Sequence, residues 1–371
     1  MVATQPIQVG DPFRPFRLRG IDGEVFDLAR HVGKTFAIFF YLDDMSPACR
    51  AEITAFRDLQ DEFTKLGVVV MGIGVDPVES HRAVAEELGV RFPLLADESA
   101  TVSLAYGIAR QESGGEQPTL SIGRSTLLIG PNLRVARVYH VDDPGAHAAQ
   151  VLADARAVIQ REPPRQMVQH APVLLIPDVL PPQLCQRLIS IWENDGNEES
   201  GFMRQVDGKT VGMVDYNHKI RRDHFLRGGG EIEAELKHHL GTKVVPEIFK
   251  AFNYRVTRRE DFRIACYDSS RGGYFRPHRD NTTDGTAHRR FALSLLLNDD
   301  YDGGYLRFPE YAPHHYRPDA GAAVIFSCSL LHEATDVTRG RRFVLLSFFY
   351  GEQEARMREE YNARTGGGYR A

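Results

Sequence analysis

The sequence predicts two domains of different class. An α/β domain spans residues 1–160, a linker spans 161–170, and a mostly-β domain with flanking helices spans 171–371. Three observations carry this reading. The first half alternates buried strand-like runs with amphipathic helix-like runs. Tandem proline beside charge, Arg161-Glu162-Pro163-Pro164-Arg165, has the composition of a linker. Beyond Asp261 the chain turns into short alternating strands separated by Gly, Pro and Asn.

In the first half, residues 35–41 (TFAIFFY) read as a buried strand and residues 48–66 as a helix with apolar residues at helical spacing. Residues 68–75 (VVVMGIGV) form a second buried strand, 79–88 a helix and 99–106 a shorter one. Residues 125–129 and 135–141 are expected to form a hairpin around Pro131-Asn132, and a last helix runs over 145–160.

In the second half, residues 181–194 read as a helix opened by Pro181-Pro182, and 231–253 contain another. The strands FRIACY, GYFRPH, RRFALSLLLN, GGYLRFPE, AAVIFS and RRFVLLSFFY follow, a spacing suited to a sandwich, jelly roll or barrel. No internal repeat is present, and the Gly-rich tail after Gly366 is expected to be disordered.

Composition excludes several classes of function. With 371 residues, 42% hydrophobic and 26% charged, the chain is an ordinary globular sequence. A formal net charge of −5 gives no reason to expect nucleic acid or an acidic membrane as partner. The start, MVATQPIQVGDPF, has neither a basic n-region nor an apolar h-region, and no apolar run approaches the roughly 18 residues that span a bilayer. The four cysteines, Cys49, Cys185, Cys266 and Cys328, form no CxxC pair. A reducing cytoplasm is therefore the expected compartment.

The segment Tyr274-Phe275-Arg276-Pro277-His278-Arg279-Asp280 contains H-x-D, weak alone because the pair is common. On a strand, positions two apart share a face, so both side chains can reach one ion. His332 follows a buried strand, and two imidazoles plus one carboxylate match the facial triad of non-haem Fe(II) oxygenases. Arg342, ten residues beyond His332, opens the strand FVLLSFFY, and a guanidinium there can hold a buried carboxylate through two parallel bonds. Arg341 is expected to face the other way. Each residue also has a plainer reading: His278 as a core histidine, Asp280 as a turn residue, His332 as a loop residue, Arg342 as a rim charge. Gly303-Gly304 reads as a plain turn, and His288, His314 and His315 as surface or substrate-side loop residues.

The stretch 171–351, with ACYDSSRGGYFRPHRDN, LNDDYDGGYLRF and HEATDVTRGRRFVLLSFFY, resembles the prolyl-4-hydroxylase-type 2-oxoglutarate/Fe(II) dioxygenases. That resemblance implies a double-stranded β-helix (jelly roll) with flanking helices, and iron held by His278, Asp280 and His332. It implies 2-oxoglutarate anchored by Arg342 and lined by Tyr267, ascorbate as a further cofactor, and a prolyl residue, other amino-acid residue or small molecule as substrate. A pocket tyrosine of some relatives falls near Leu296, so a hydroxyl from that strand is expected to be missing.

In the first half, Ser46-Pro47-Ala48-Cys49 lies where a loop after a buried strand enters a helix, and a thiol in a first helical turn is favoured as thiolate. The segment 9–159, with VGDPFRPFRLRGIDGEVFDL, PLLADES and GRSTLLIG, resembles the peroxiredoxins of the bacterioferritin-comigratory type. The resemblance implies a thioredoxin-like fold, Cys49 as peroxidatic thiol, Ser46 as a hydrogen-bonding partner of peroxide and Arg124 as the activating cation. Leu42 stands where relatives carry a shielding proline, and Thr54 where they carry a second cysteine. If Cys49 reacts, it is then a one-Cys type or is resolved by an outside thiol reductant; the plainer reading is an inert remnant on a thioredoxin-like scaffold. The combined expectation is a hydroxylase fused to a redoxin domain, with a homodimer allowed. The rivals are a thiol peroxidase with an accessory domain and a non-catalytic iron or oxoglutarate sensor.

Overall fold

A computed structural model gives the structure, described over residues 6–112, 119–159, 166–227 and 229–366. It forms two compact units, residues 1–164 and 165–371. The charged proline pair at 161–165, the end of the helix expected over 145–160 and the tail beyond Gly366 lie outside the described residues. Among the described residues, no helix is long and apolar enough to cross a membrane.

The first unit is built on a seven-stranded sheet in the order Val25–Asp27, Arg17–Gly20, Leu94–Ala96, Val68–Gly74, Thr35–Phe40, Ser125–Ile129, Val135–His140. Thr35–Phe40 runs parallel to Val68–Gly74, which runs parallel to Leu94–Ala96; the other neighbours are antiparallel. Strand alternation explains the unbroken apolar run of the central strand. Phe36, Ile38 and Phe40 enter one core, while Ala37, Phe39 and Tyr41 enter the other. Helices Pro47–Asp58 and Pro144–Val158 cover the second face through Cys49, Ile53, Phe56, Ala148 and Val151. The continuous helix expected over 48–66 breaks at Leu59 and restarts as Gln60–Lys65. Leu59 O then accepts from the amides of Glu62 and Phe63.

Among its described residues the second unit has two main antiparallel sheets and two small two-stranded ones. The larger runs Leu174–Ile176, Ala323–Ser327, Phe291–Leu296, Arg341–Tyr350, Arg263–Asp268, Arg222–Phe225, Glu198–Glu199. The smaller runs Lys219–Ile220, Tyr274–His278, His332–Ala334, Leu306–Arg307, His315–Tyr316. Helices Pro182–Asn194, Glu231–Lys243 and Val245–Phe252 pack on the outer face of the larger sheet, where Leu188, Leu236 and Leu240 meet Ile264, Phe343 and Leu345. The helix expected over 231–253 divides there because Pro246 cannot donate a backbone bond. On the inner face, Ala265, Tyr267, Leu296 and Val344 meet Phe275 and Ala334 of the smaller sheet. Period-two alternation along Arg341–Tyr350 thus sends Phe343 and Leu345 to the helices and Arg342 and Val344 inward.

Candidate functional site

His278 closes the strand Tyr274–His278 and is the register partner of His332, which opens His332–Ala334. Asp280 lies just past the strand end, its backbone N donating to Cys328 O at 2.9 Å. Its carboxylate oxygens stand 3.6 Å from His278 Nε2 and 3.4 Å from His332 Nε2. One donor atom from each residue fits within 4.8 Å of the other two. His278 Nδ1 lies 2.8 Å from Arg276 O and His332 Nδ1 lies 3.0 Å from Leu330 O. A carbonyl only accepts, so each Nδ1 carries the proton and each Nε2 presents a lone pair. Burial, with the neighbouring His332, pushes His278 down to about 4, which keeps the imidazole neutral. Two neutral imidazoles with preset tautomers and one carboxylate converging from one side fit a divalent metal of the Fe(II) class.

Arg342 lines the same cavity of about 520 Å³ as these three residues. It is 2% exposed, and its Nε has no hydrogen-bond partner. Its Nη2 reaches only Ser294 Oγ, at 3.5 Å, and its guanidinium carbon sits 5.1 Å from the Tyr267 ring centroid. A buried guanidinium left this unsatisfied is suited to an incoming carboxylate. Arg341 points to the helix side and pairs with Glu193 at 2.6 Å. The hydroxyl expected to be missing near Leu296 is supplied by Ser294, two residues earlier on the same face of that strand. The plain-turn reading of Gly303-Gly304 is also corrected. At Gly304, with φ +62, a Cβ would stand 2.8 Å from Arg342 Cδ, so the missing side chain makes room for the arginine.

Several cavity residues escaped the sequence reading. Lys219 donates to Ser200 Oγ and Gly201 O, each at 2.7 Å. Arg221 grips Asp223 through two bonds of 2.7 and 2.5 Å and reaches Tyr267 Oη at 3.3 Å. Arg289 holds Glu260 at 2.6 and 2.8 Å, and Arg263 approaches Glu260 at 3.6 Å. The available signal was the alternation of charge in Lys219-Ile220-Arg221-Arg222-Asp223, which puts three charges on one face. His288 is not a surface residue. It is 1% exposed and bonds Glu260 at 2.9 Å, since a buried carboxylate facing arginines also recruits the imidazole. His314 and His315 are exposed, His315 stacking on Tyr305 at 4.9 Å.

In the first unit, Ser46 is the N-cap of Pro47–Asp58 without a side-chain cap bond, and Cys49 stands in the first turn. Cys49 is 1% exposed and packs in the apolar core, while Leu42 is 43% exposed. Glu52, the next turn along, is fully buried and neither carboxylate oxygen has a hydrogen-bond partner. Burial raises its pKa to about 8 against the opposing pull of Arg124. Arg124 is therefore brought close to the helix that carries Cys49. Tyr41, Asp44 and His81 form a further sealed cluster, with Tyr41 Oη donating to Asp44 at 3.0 Å and His81 Nδ1 at 2.8 Å from Asp44.

Comparison with known proteins bears on both units. Residues 9–138 match the AhpC/TSA family. Peroxiredoxin Bcp of Bacillus subtilis is 30% identical over 151 residues, covering 40% of this chain and 96% of that protein. Peroxiredoxin Bcp of Xanthomonas campestris is 32% identical over 143 residues, covering 38% and 88% respectively. The chain belongs to the peroxiredoxins. Its peroxiredoxin half has the thioredoxin-like fold that the sequence predicted. Among solved structures, peroxidoxin BcpB from Mycobacterium tuberculosis matches at 31% identity over 41% of this chain and 98% of that one, with a TM-score of 0.38. This peroxiredoxin also carries a second domain, since residues 262–350 match the 2OG-Fe(II) oxygenase superfamily. His278, Asp280, His332, Tyr267 and Arg342 all fall inside that match.

Proposed function

We propose that the second unit is a 2-oxoglutarate- and O₂-dependent Fe(II) hydroxylase built on a double-stranded β-helix formed by its two sheets. The observation that carries this reading is the meeting, in one cavity, of the His278–Asp280–His332 donor set and the unsatisfied guanidinium of Arg342. Iron bound there would couple oxidative decarboxylation of 2-oxoglutarate, giving succinate and CO₂, to hydroxylation of a substrate C–H bond. The chain's own contribution is positional. His278 and His332 offer Nε2 lone pairs because carbonyls hold their Nδ1 protons. Arg342 receives the distal carboxylate of the co-substrate, with Tyr267 against its face and Ser294 at its side. The apolar residues Ala292, Leu346 and Phe348, which line the same cavity, restrict water within it. A prolyl or other amino-acid residue, or a small molecule, is the substrate in this reading, and ascorbate serves as reductant. Succinate release from 2-oxoglutarate by the Fe(II)-loaded full chain tests it; release that survives loss of His278 and Asp280 would overturn it.

A second activity has its own support. Peroxiredoxin relatedness of the first half and the placement of Cys49 in the first turn after Ser46 favour thiol-dependent peroxide reduction. Peroxide consumption with an added thiol by the full chain, absent in Cys49→Ser, tests it.

A further inference from the structure

Five buried cations, Lys219, Arg221, Arg263, Arg289 and Arg342, line the cavity of the second unit, each at most 8% exposed. They face the buried carboxylates of Asp223 and Glu260 and the partly buried one of Asp280, so one guanidinium charge is left over, beside Lys219, whose pKa burial pulls well below the usual lysine range. A divalent metal on Asp280 and doubly charged 2-oxoglutarate on Arg342 cancel one another and leave that surplus unchanged. Buried charge without a partner is costly, and a binding site is the common reason for keeping it.

The surplus has a location. Arg221 is satisfied by Asp223, and Arg289 by Glu260. Arg263 is hydrogen-bonded to neither pair: among the described residues its one ion-pair contact is the 3.6 Å approach to Glu260, and its Nε is buried without an acceptor. Phe225 and Phe348 lie against its guanidinium, at 5.1 and 5.6 Å. Lys219 uses two of its three ammonium donors on Ser200 and Gly201 and meets no carboxylate directly. Its Nζ stands 4.7 Å from the Phe275 ring, which stacks on the His278 imidazole at 3.4 Å, so Lys219 is one aromatic ring away from a proposed metal ligand. These cations are separate from the co-substrate anchor. Tyr267 pairs across the strands with Arg342, whereas Arg263 pairs with Leu346, four residues along. At about 3.3 Å per residue the two positions are roughly 13 Å apart.

Resting on the hydroxylase reading, we propose that the substrate of the second unit carries a carboxylate, which docks on Arg263 and Lys219 while 2-oxoglutarate occupies Arg342. The carboxylate belongs to a small free acid or to an acidic side chain of a peptide. A cavity of about 520 Å³ admits the first whole and the second as an inserted side chain.

The test uses the full chain loaded with Mn(II), which replaces iron without turnover, and saturated with 2-oxoglutarate. Calorimetric titration is made with N-acetyl-glutamate, N-acetyl-aspartate and N-acetyl-proline, each against its amide, and with capped peptides containing glutamate or glutamine. At least one acid is expected to bind about tenfold or more tightly than its amide. Arg263→Gln and Lys219→Met should each remove that preference, and Arg263→Lys should keep part of it, while affinity for Mn(II) and 2-oxoglutarate stays within about twofold of wild type. Preference for free acids alone, or for acidic peptides as well, identifies the source and supports the proposal either way. Absence of any acid-over-amide preference with metal and 2-oxoglutarate bound would overturn it. So would a loss of 2-oxoglutarate affinity in Arg263→Gln, which would assign the cations to the co-substrate. Failure of the wild type to bind Mn(II) and 2-oxoglutarate would instead remove the hydroxylase reading beneath it.

Discussion

Tyr267 and Arg342 are direct cross-strand partners on the inner face of the larger sheet, with the guanidinium carbon 5.1 Å from the ring centroid. The pairing holds a side chain that has almost no other polar partner. Arg342→Ala is therefore expected to raise the 2-oxoglutarate concentration needed for half-maximal turnover by about 100-fold or more, since losing a bidentate charge pair costs about 3–5 kcal/mol. Iron stoichiometry should be unchanged. Arg341→Ala, which removes a surface pair with Glu193, should change it less than about twofold. A larger effect at Arg341 would mean that the strand phase is wrong.

Removing His278 or Asp280 should abolish stoichiometric Fe(II) binding while the protein stays folded. The three side chains meet at strand ends, and Asp280 is held in place by its backbone bond to Cys328. Metal titration followed by circular dichroism checks this; full binding in both alanine variants would rule out the ligand set.

Gly304→Ala combines three costs, a positive φ, a contact of 2.7 Å with Val337 Cγ2 and one of 2.8 Å with Arg342 Cδ. Destabilisation of roughly 1–3 kcal/mol is expected, with a raised 2-oxoglutarate requirement. Gly208, also at positive φ but with nothing within 4 Å of the added Cβ, is the control: its alanine variant should show the backbone cost without the effect on 2-oxoglutarate.

Glu52 links stability to pH in the opposite sense from a salt-bridged carboxylate. Its folded-state value stands above the unfolded one, so between pH 4.5 and about 8 the native state keeps a proton that the unfolded chain has released. Stability of the first unit should fall as pH rises through that window. Glu52→Gln should match wild type at pH ~4 and exceed it at pH ~8.5 by on the order of 3–5 kcal/mol. Urea unfolding at both values measures it; parallel behaviour of the two proteins would contradict it.

Cys49→Ser should leave the initial rate of 2-oxoglutarate turnover unchanged and shorten the active lifetime severalfold when no reductant is supplied. A thiol on the same chain meets peroxide from uncoupled turnover at high effective concentration. Because Cys49 is 1% exposed, the first turn of its helix has to open for reaction, and sulfenic acid should be trapped there only during turnover. Equal lifetimes without trapped sulfenate would leave the first unit as a scaffold.

The clustering of His278, Asp280 and His332 beside Arg342 was legible because these residues lie in short, ordered motifs: His278 and Asp280 two apart at a strand end, then His332, then Arg342 at a strand opening whose phase alternation fixes. What could not be read depends on partners distant in sequence. His288 is buried because Glu260 stands 28 residues away, and the role of Arg263 depends on Asp223 and Glu260 being taken by other arginines. The fold followed the same rule. The strand Thr35–Phe40 was visible as a local apolar run, whereas the breaks at Leu59 and near Val245 come from packing and from one proline.

The hairpin of Phe202–Val206 and Lys209–Met213 supplies Phe202, Met203, Arg204 and Gln205 to the cavity wall. Thr210 ties the hairpin down: its backbone N donates to Tyr361 Oη at 2.8 Å, and its Oγ1 accepts from the Gly285 amide at 2.8 Å. Tyr361 belongs to the terminal helix Glu352–Thr365. The helix Glu352–Thr365 thus braces, from outside the cavity, the hairpin that lines it, and a change that removed the Tyr361 hydroxyl would free the strand Lys209–Met213 from that anchor.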